Sequence, residues 1–336
     1  MHKLIKKLVL LVVTILLPLM LYNYFTDFYG VFNENISKSK HEPNFRLIKT
    51  RYLINNPNKY NKLIFGSSRV GKILAHRSDQ EAYNMYYSEG IPSEFLEDIN
   101  TLIEGNCIPG EIYVGLDIFS FRILPEKHNT QLLRLPYHND PVENLATYLQ
   151  MLVDPPKIGF PEYEIDTNFD FENSGSPLHF MVDTLIDANI EKHMKDKKFD
   201  NIQIYRGKRI QKTLLELEEI KALCSKYNIK LKVFMNPIYA GTYSQYPIEE
   251  VKFIKKVLAD VIPFVDYSGF NKVTVDRRNY YESSHYRYFI GDSIWNDLTE
   301  KKQFSIAKHV SPASIDTLFA MELNDRRVYK ASALGN

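Results

Sequence analysis

KLIFGSSRVGKIL, residues 62–74, is an apolar run that ends in a glycine and two serines, and it fits two readings. Gly66, Gly71 and Lys72 match the phosphate-loop spacing G-x-x-x-x-G-K-[ST], but Ile73 stands where that loop needs a hydroxyl for Mg²⁺. A nucleotide would lose its metal ligand here. The elbow pattern G-x-S-x-G fails too, because the residue two after Ser68 is Val70. The surviving reading is a strand that delivers Ser67 and Ser68 to the first turn of a following helix. A serine there has backbone N–H groups and a helix N-terminus beside it, which can hold a developing oxyanion. The same serines also suit a simple helix cap.

Outward from this strand, apolar runs of strand length alternate with helical patterns, as in a parallel sheet covered by helices. Strands are expected at 62–66, 82–87, 111–117, 230–235 and 263–267, with helices at 92–105, 207–228 and 248–260. In the middle helix Leu214, Leu217, Ile220 and Leu223 recur at helical spacing, a core stripe that Asn228 brings to a stop. Residues 120–205 break the alternation with proline, aspartate and aromatic residues, and read as an insertion and a candidate lid.

The chain has 336 residues, 44% of them hydrophobic, enough for one enlarged domain. Its 42 Lys and Arg are balanced by 41 Asp and Glu, which gives no support to a nucleic-acid footprint, and no nucleic-acid partner is expected. Cys107 and Cys224 lack the paired spacing of a zinc site and read as buried apolar residues, with a single disulfide between them left open.

At the N-terminus, Lys3, Lys6 and Lys7 precede LVLLVVTILLPLMLYNYF, residues 8–25, which carry no charge and have the length of a membrane span. No small-residue cleavage site follows, and the tyrosines and phenylalanines of YNYFTDFYG suit a membrane interface. The expected organisation is a cytoplasmic basic tip at 1–7, a single-pass anchor at 8–25, a linker and lead-in helix at 26–60, an outward-facing domain at 61–325 and a tail at 326–336.

A serine nucleophile needs an imidazole to take its proton and a carboxylate to orient that imidazole. RRNYYESSHYRYFIGDSI, residues 277–294, supplies both: Glu282 stands three residues before His285, with a helix expected to open after Gly291. The order serine, acid, histidine is a known triad order.

These blocks resemble the SGNH (GDSL-like) hydrolases, in which the nucleophile follows the first strand and a D-x-x-H pair lies near the C-terminus. IFGSSR is similar to the first block, with Ser68 as nucleophile, and ESSHY to the last, with Glu282 in the usual aspartate position. The nearest likeness is to membrane-anchored, extracytoplasmic SGNH-like proteins of surface-polysaccharide acylation, such as alginate O-acetylation proteins and the D-alanine transfer protein of teichoic acid synthesis. The resemblance implies a three-layer α/β/α, flavodoxin-like parallel-sheet domain behind one transmembrane helix. It also implies a serine esterase or O-acyltransferase acting on a surface glycan, with a membrane-embedded acyl donor as partner and no metal or organic cofactor. Gly90 falls where the second block supplies an oxyanion N–H. Asp117 stands where the third block, G-x-N-D, has its asparagine. An ionised carboxylate repels an oxyanion, so either Asp117 is protonated, another donor such as Asn236 completes the hole, or the chain is a weak or non-catalytic glycan-binding relative. Asn236 also reads as a plain turn residue before Pro237.

Overall fold

Lys62–Gly66 forms β1, and Leu63, Ile64 and Phe65 within it are wholly buried, as expected of a strand covered on both faces. In this computed structural model, which describes residues 2–32, 42–124, 126, 132–156, 168–178 and 180–334, seven further strands follow. They are β2 (Ala82–Asn84), β3 (Glu111–Leu116), β4 (Asn168–Asp170), β5 (Ser176–Leu178), β6 (Lys230–Met235), β7 (Phe264–Asp266) and β8 (Lys308–Val310). β1 and five of these form a six-stranded sheet in the order β2-β1-β3-β6-β7-β8, parallel throughout except for the antiparallel edge strand β8. β4 and β5 make a separate antiparallel pair.

The faces of the sheet follow from strand alternation. Ile64 and Tyr113 are register partners and so share one face, while Phe65 lies on the other. Phe65 packs against Phe95 of the helix Pro92–Glu104, with ring centroids 5.9 Å apart. Tyr113 meets Trp295 of the helix Tyr288–Leu298 edge to face at 4.9 Å. Helices therefore cover both faces, and the chain is a mixed α/β protein built on a mainly parallel sheet.

The helix expected at 207–228 spans Ile210–Lys226, with Leu214, Leu217 and Ile220 buried and Leu223 packed against the core. Asn228 ends it in the left-handed region, at φ 57°. β2 is shorter than the expected 82–87, although the Met85 and Tyr87 N–H groups beyond it still donate to the Ile64 and Gly66 carbonyls of β1, at 2.8 and 3.3 Å. β8 was not expected. It is three residues long, and only its pairing with β7 defines it. The helix Ile315–Leu334 runs through the expected boundary at 325/326.

Within 120–205 the described residues are far from irregular. They include the helices Pro141–Val153 and Phe180–Ala188 as well as the β4–β5 pair, while 125, 127–131, 157–167 and 179 lie outside the described residues. Both cysteines are free and buried, and burial pushes their thiols up to about 11. The N-terminal helix His2–Thr26 contains a stretch, Ile5–Thr26, long and apolar enough to cross a membrane, and none of its most apolar window is buried by the rest of the chain.

β1 pairs with β2 on one side and β3 on the other, so the chain reverses its direction of winding at β1. In open α/β sheets, ligands bind beyond the carboxyl ends of the strands at such a reversal. Ser67 and Ser68 follow β1 there, and Asp117 follows β3.

Candidate active site

Two glycines let the turn after β1 lie close on the sheet. Gly66 and Gly115 are register partners, and a Cβ on either would come within 2.2 Å and 2.4 Å of the Val70 Cγ2. Val70 thus rests on bare backbone and holds the turn down. Ser68 leads only into a 3₁₀ turn, Val70–Lys72, instead of the expected helix. One short turn carries little dipole, so no helix N-terminus stands behind the serine.

The two serines have different partners. Ser67 is buried and donates to Asp117 Oδ2 at 2.7 Å, while its oxygen accepts from the Arg69 N–H at 3.3 Å. Ser68 is half-buried, and its Oγ lies 2.7 Å from His285 Nε2. His285 Nδ1 is 2.5 Å from Glu282 Oε1. With the Nδ1 proton directed at the carboxylate, Nε2 presents its lone pair to the Ser68 hydroxyl, the tautomer that proton abstraction requires.

The acid is itself fixed. Glu282 Oε1 accepts the His285 N–H at 2.7 Å and Oε2 accepts the Ser284 N–H at 2.8 Å, so its loop closes on its own carboxylate. Desolvation opposes the charge on Glu282, but the hydrogen bond and charge of His285, that residue's backbone N–H and Arg69 outweigh it and hold the group below the usual carboxylate range. Desolvation lowers His285 below the ordinary imidazole value, with Lys72 and Arg69 acting the same way and Glu282 against them. Desolvation also lowers Lys72 to about 8, against the carboxylates of Glu282 and Asp183. Its ammonium lies over the rings of Tyr281 and Tyr288, at 5.2 and 5.3 Å.

Arg69 ties both halves of the site together, and sequence reasoning assigned it no role. It is buried, forms an ion pair with Asp117 Oδ1 at 2.9 Å, and donates to the Ser284 carbonyl at 2.8 Å and the Ser284 Oγ at 2.7 Å. Its guanidinium stacks on Phe119 at 5.0 Å, and Phe119 in turn packs on Tyr205. Asp117 is thereby committed to Ser67 and Arg69 through separate oxygens.

Asn84 was also missed. Its Nδ2 donates to the carbonyls of Val70 and Ile73 at 2.8 and 3.0 Å, and its Oδ1 accepts from the Tyr86 N–H at 3.0 Å. A polar residue inside the apolar run AYNMYY is the signal that could have found it, since a buried amide must spend its hydrogen bonds somewhere. Lys49, wholly buried, fixes the same region by donating to the Asn84 and Tyr86 carbonyls at 3.0 and 2.8 Å.

The loop of Glu282 and His285 is braced by the insertion. Asp183 accepts from Tyr281 Oη and Arg287 Nε, both at 2.6 Å, and Asp187 accepts from Arg287 Nη2 at 2.8 Å. The Asn201 carbonyl accepts from Ser283 Oγ at 2.6 Å, and His193 Nε2 donates to the Tyr280 carbonyl at 2.8 Å.

The expected oxyanion groups lie elsewhere in the hydrogen-bond network. The Gly90 N–H donates to the Tyr87 carbonyl at 3.2 Å. Asn236 directs its Nδ2 to the Leu116 carbonyl at 3.3 Å and accepts from Tyr286 Oη at 3.1 Å. Among the described residues no acceptor takes the Ser68 N–H. No group of three His, Cys, Asp or Glu side chains is gathered for a metal among them either. A hydroxyl, an imidazole and a carboxylate in hydrogen-bonded series can perform acyl transfer through a covalent serine ester.

No protein-family model matches this sequence, and no curated protein matches it either.

Proposed function

We propose that this chain is an SGNH-like serine acyl-ester hydrolase or O-acyltransferase, held at a membrane by its N-terminal helix and acting on a cell-surface polysaccharide. The observation that carries the chemistry is the series Ser68 Oγ, His285 Nε2, His285 Nδ1 and Glu282 Oε1, linked at 2.7 and 2.5 Å. The parallel-strand order, with β1 between β2 and β3, suits the flavodoxin-like arrangement. The polysaccharide comes from the resemblance of IFGSSR and ESSHY, the outward topology from Lys3, Lys6 and Lys7 on the N-terminal side of the apolar run, and the membrane-embedded acyl donor from the anchor itself.

In this mechanism Ser68 Oγ attacks the ester carbonyl carbon while His285 Nε2 takes its proton. The tetrahedral intermediate collapses as the imidazolium returns that proton to the departing alkoxide, leaving an acyl-Ser68. A water molecule or a sugar hydroxyl, deprotonated by His285, then attacks the acyl carbon and releases the serine. Glu282 holds the imidazole tautomer and balances its charge. The Ser68 N–H, which no acceptor takes among the described residues, is the donor offered to the oxyanion.

A second reading is favoured by Asp117 and by the engaged Gly90 N–H: a non-catalytic SGNH-like subunit that binds or scaffolds the glycan. Hydrolysis of p-nitrophenyl acetate by the full chain in detergent separates the two. The enzymatic reading expects turnover that falls about 10³-fold or more in both Ser68→Ala and His285→Ala. A folded chain with no turnover above those variants contradicts it.

A further inference from the structure

The helix Pro141–Val153 is built inside out for a surface in water. Its inward side carries Asn144, Thr147 and Met151, all buried. Its outward side carries Val142, Leu145, Leu149 and Val153, which are 73%, 57%, 42% and 40% exposed, with exposed Ala146 among them. At the helical repeat these five fall in one stripe roughly 100° wide, the width of a face that normally meets a core. The exposed polar neighbours, Glu143 and Gln150, flank the stripe without interrupting it.

The helix is also placed beside the apolar N-terminal segment. Asn23, inside the stretch Ile5–Thr26, donates through Nδ2 to the carbonyls of Leu152 and Asp154, at 2.8 Å each. Those acceptors lie at the end of the helix Pro141–Val153, so its last turn sits level with the last turn of the N-terminal helix. Just past the N-terminal helix, Tyr29 bonds Asp154 and Phe32 packs on Tyr148 at 5.9 Å, tying the segment that follows that helix to Pro141–Val153. The amide of Asn23 is thereby satisfied within the chain.

We infer that Pro141–Val153 is a second membrane-contacting element, seated in the lipid interface against the domain-proximal end of the N-terminal helix, with Val142, Leu145, Ala146, Leu149 and Val153 facing lipid. The inference rests on the N-terminal helix spanning a bilayer. A bilayer around Ile5–Thr26 necessarily reaches the residues packed at Asn23, and an apolar stripe there meets acyl chains at no cost in hydration. Tyr22 and Tyr24, both exposed, mark the same level with the amphipathic rings found at membrane interfaces. The catalytic domain would then be held at two points, which fixes its tilt as well as its distance from the membrane.

The test uses the full chain in phosphatidylcholine–phosphatidylglycerol vesicles, with one nitroxide label per variant at Leu145→Cys, Leu149→Cys, Leu16→Cys or Leu215→Cys. Leu215 is 56% exposed on the helix Ile210–Lys226 and reports water, whereas Leu16 reports the span. The native cysteines are buried and do not compete for label. Power saturation should show the labels at 145 and 149 relaxed more by oxygen than by a water-soluble nickel chelate, as at 16, with the contrast reversed at 215. Labels at 145 and 149 that behave like 215 while 16 stays in lipid overturn the inference and leave the anchor standing. A label at 16 that also meets nickel overturns both. Labels at 145 and 149 shielded from both reagents assign the stripe to a second copy or another protein and overturn contact with lipid.

Discussion

Gly291 lies directly over the carbonyl oxygen of Lys72, where a Cβ would be 2.0 Å from that oxygen and 2.7 Å from its carbon. The helix Tyr288–Leu298 starts three residues before Gly291, not after it as the sequence reading expects, so this glycine is an internal contact point. Through it the helix that follows His285 rests on the turn that follows Ser68. Gly291→Ala should push the two apart, lowering stability by about 1–3 kcal/mol by overpacking. An ångström of separation between Ser68 and His285 costs about 10² in rate. Thermal unfolding and ester hydrolysis measured together check this, and a variant with wild-type values for both would show that the contact is not needed.

Asn84 makes a different kind of contribution, because it supports the turn after Ser68 without touching Ser68, His285 or Glu282. Asn84→Ala leaves the carbonyls of Val70 and Ile73 and the Tyr86 N–H without their side-chain partners in a buried place. A loss of about 1–3 kcal/mol is expected from unsatisfied groups of this kind. Urea denaturation should show a lower midpoint at unchanged slope, and turnover should fall with KM little altered.

The pH dependence follows from His285, which must be neutral to act as a base. Its value is lowered below 6.5, chiefly by desolvation, with Lys72 and Arg69 assisting. Lowering means that the imidazole stays neutral further into acid, so the acid limb of kcat/KM should have its midpoint below 6.5. Removing a neighbouring cation raises an imidazole pKa, and Lys72→Met should therefore move that limb to higher pH. A limb that moves the other way, or not at all, would show that Lys72 does not act on His285.

Asp117 invites the substitution that restores the resemblance. Asp117→Asn would supply an amide donor, but it also removes the carboxylate paired with buried Arg69, the residue that grips Ser284 beside His285. Breaking one side of a buried ion pair costs about 3–5 kcal/mol. Lower stability and lower turnover are both expected from melting curves and steady-state rates. A rise in turnover would show that position 117 serves the oxyanion before it serves Arg69.

How much of this could be read before folding depends on how local each signal is. β1 and β3 hold continuous apolar runs, β6 ends in the apolar Val233–Met235, and the stop at Asn228 is a single residue with a conformational preference, so all are legible in short windows. β8 is not, because KHV becomes a strand only beside β7. The helices of the insertion were hidden among prolines and aspartates that cap and bound them, as Asp140 and Pro141 do for Pro141–Val153. Glu282 and His285 were legible as a pair because one loop carries both. Their meeting with Ser68, 217 positions away, was an expectation from triad chemistry and from the resemblance. Arg69 and Asn84 gave no such pattern, since their roles are set by which carbonyls and carboxylates fold over them.

The most direct measurement is labelling of the full chain with a fluorophosphonate, followed by mass spectrometry of the modified peptide. The expected result is a single adduct on Ser68, absent in Ser68→Ala and formed about 10³-fold more slowly or worse in His285→Ala. Failure of the folded wild-type chain to react, or equal labelling of Ser68→Ala, would contradict a serine nucleophile at this site.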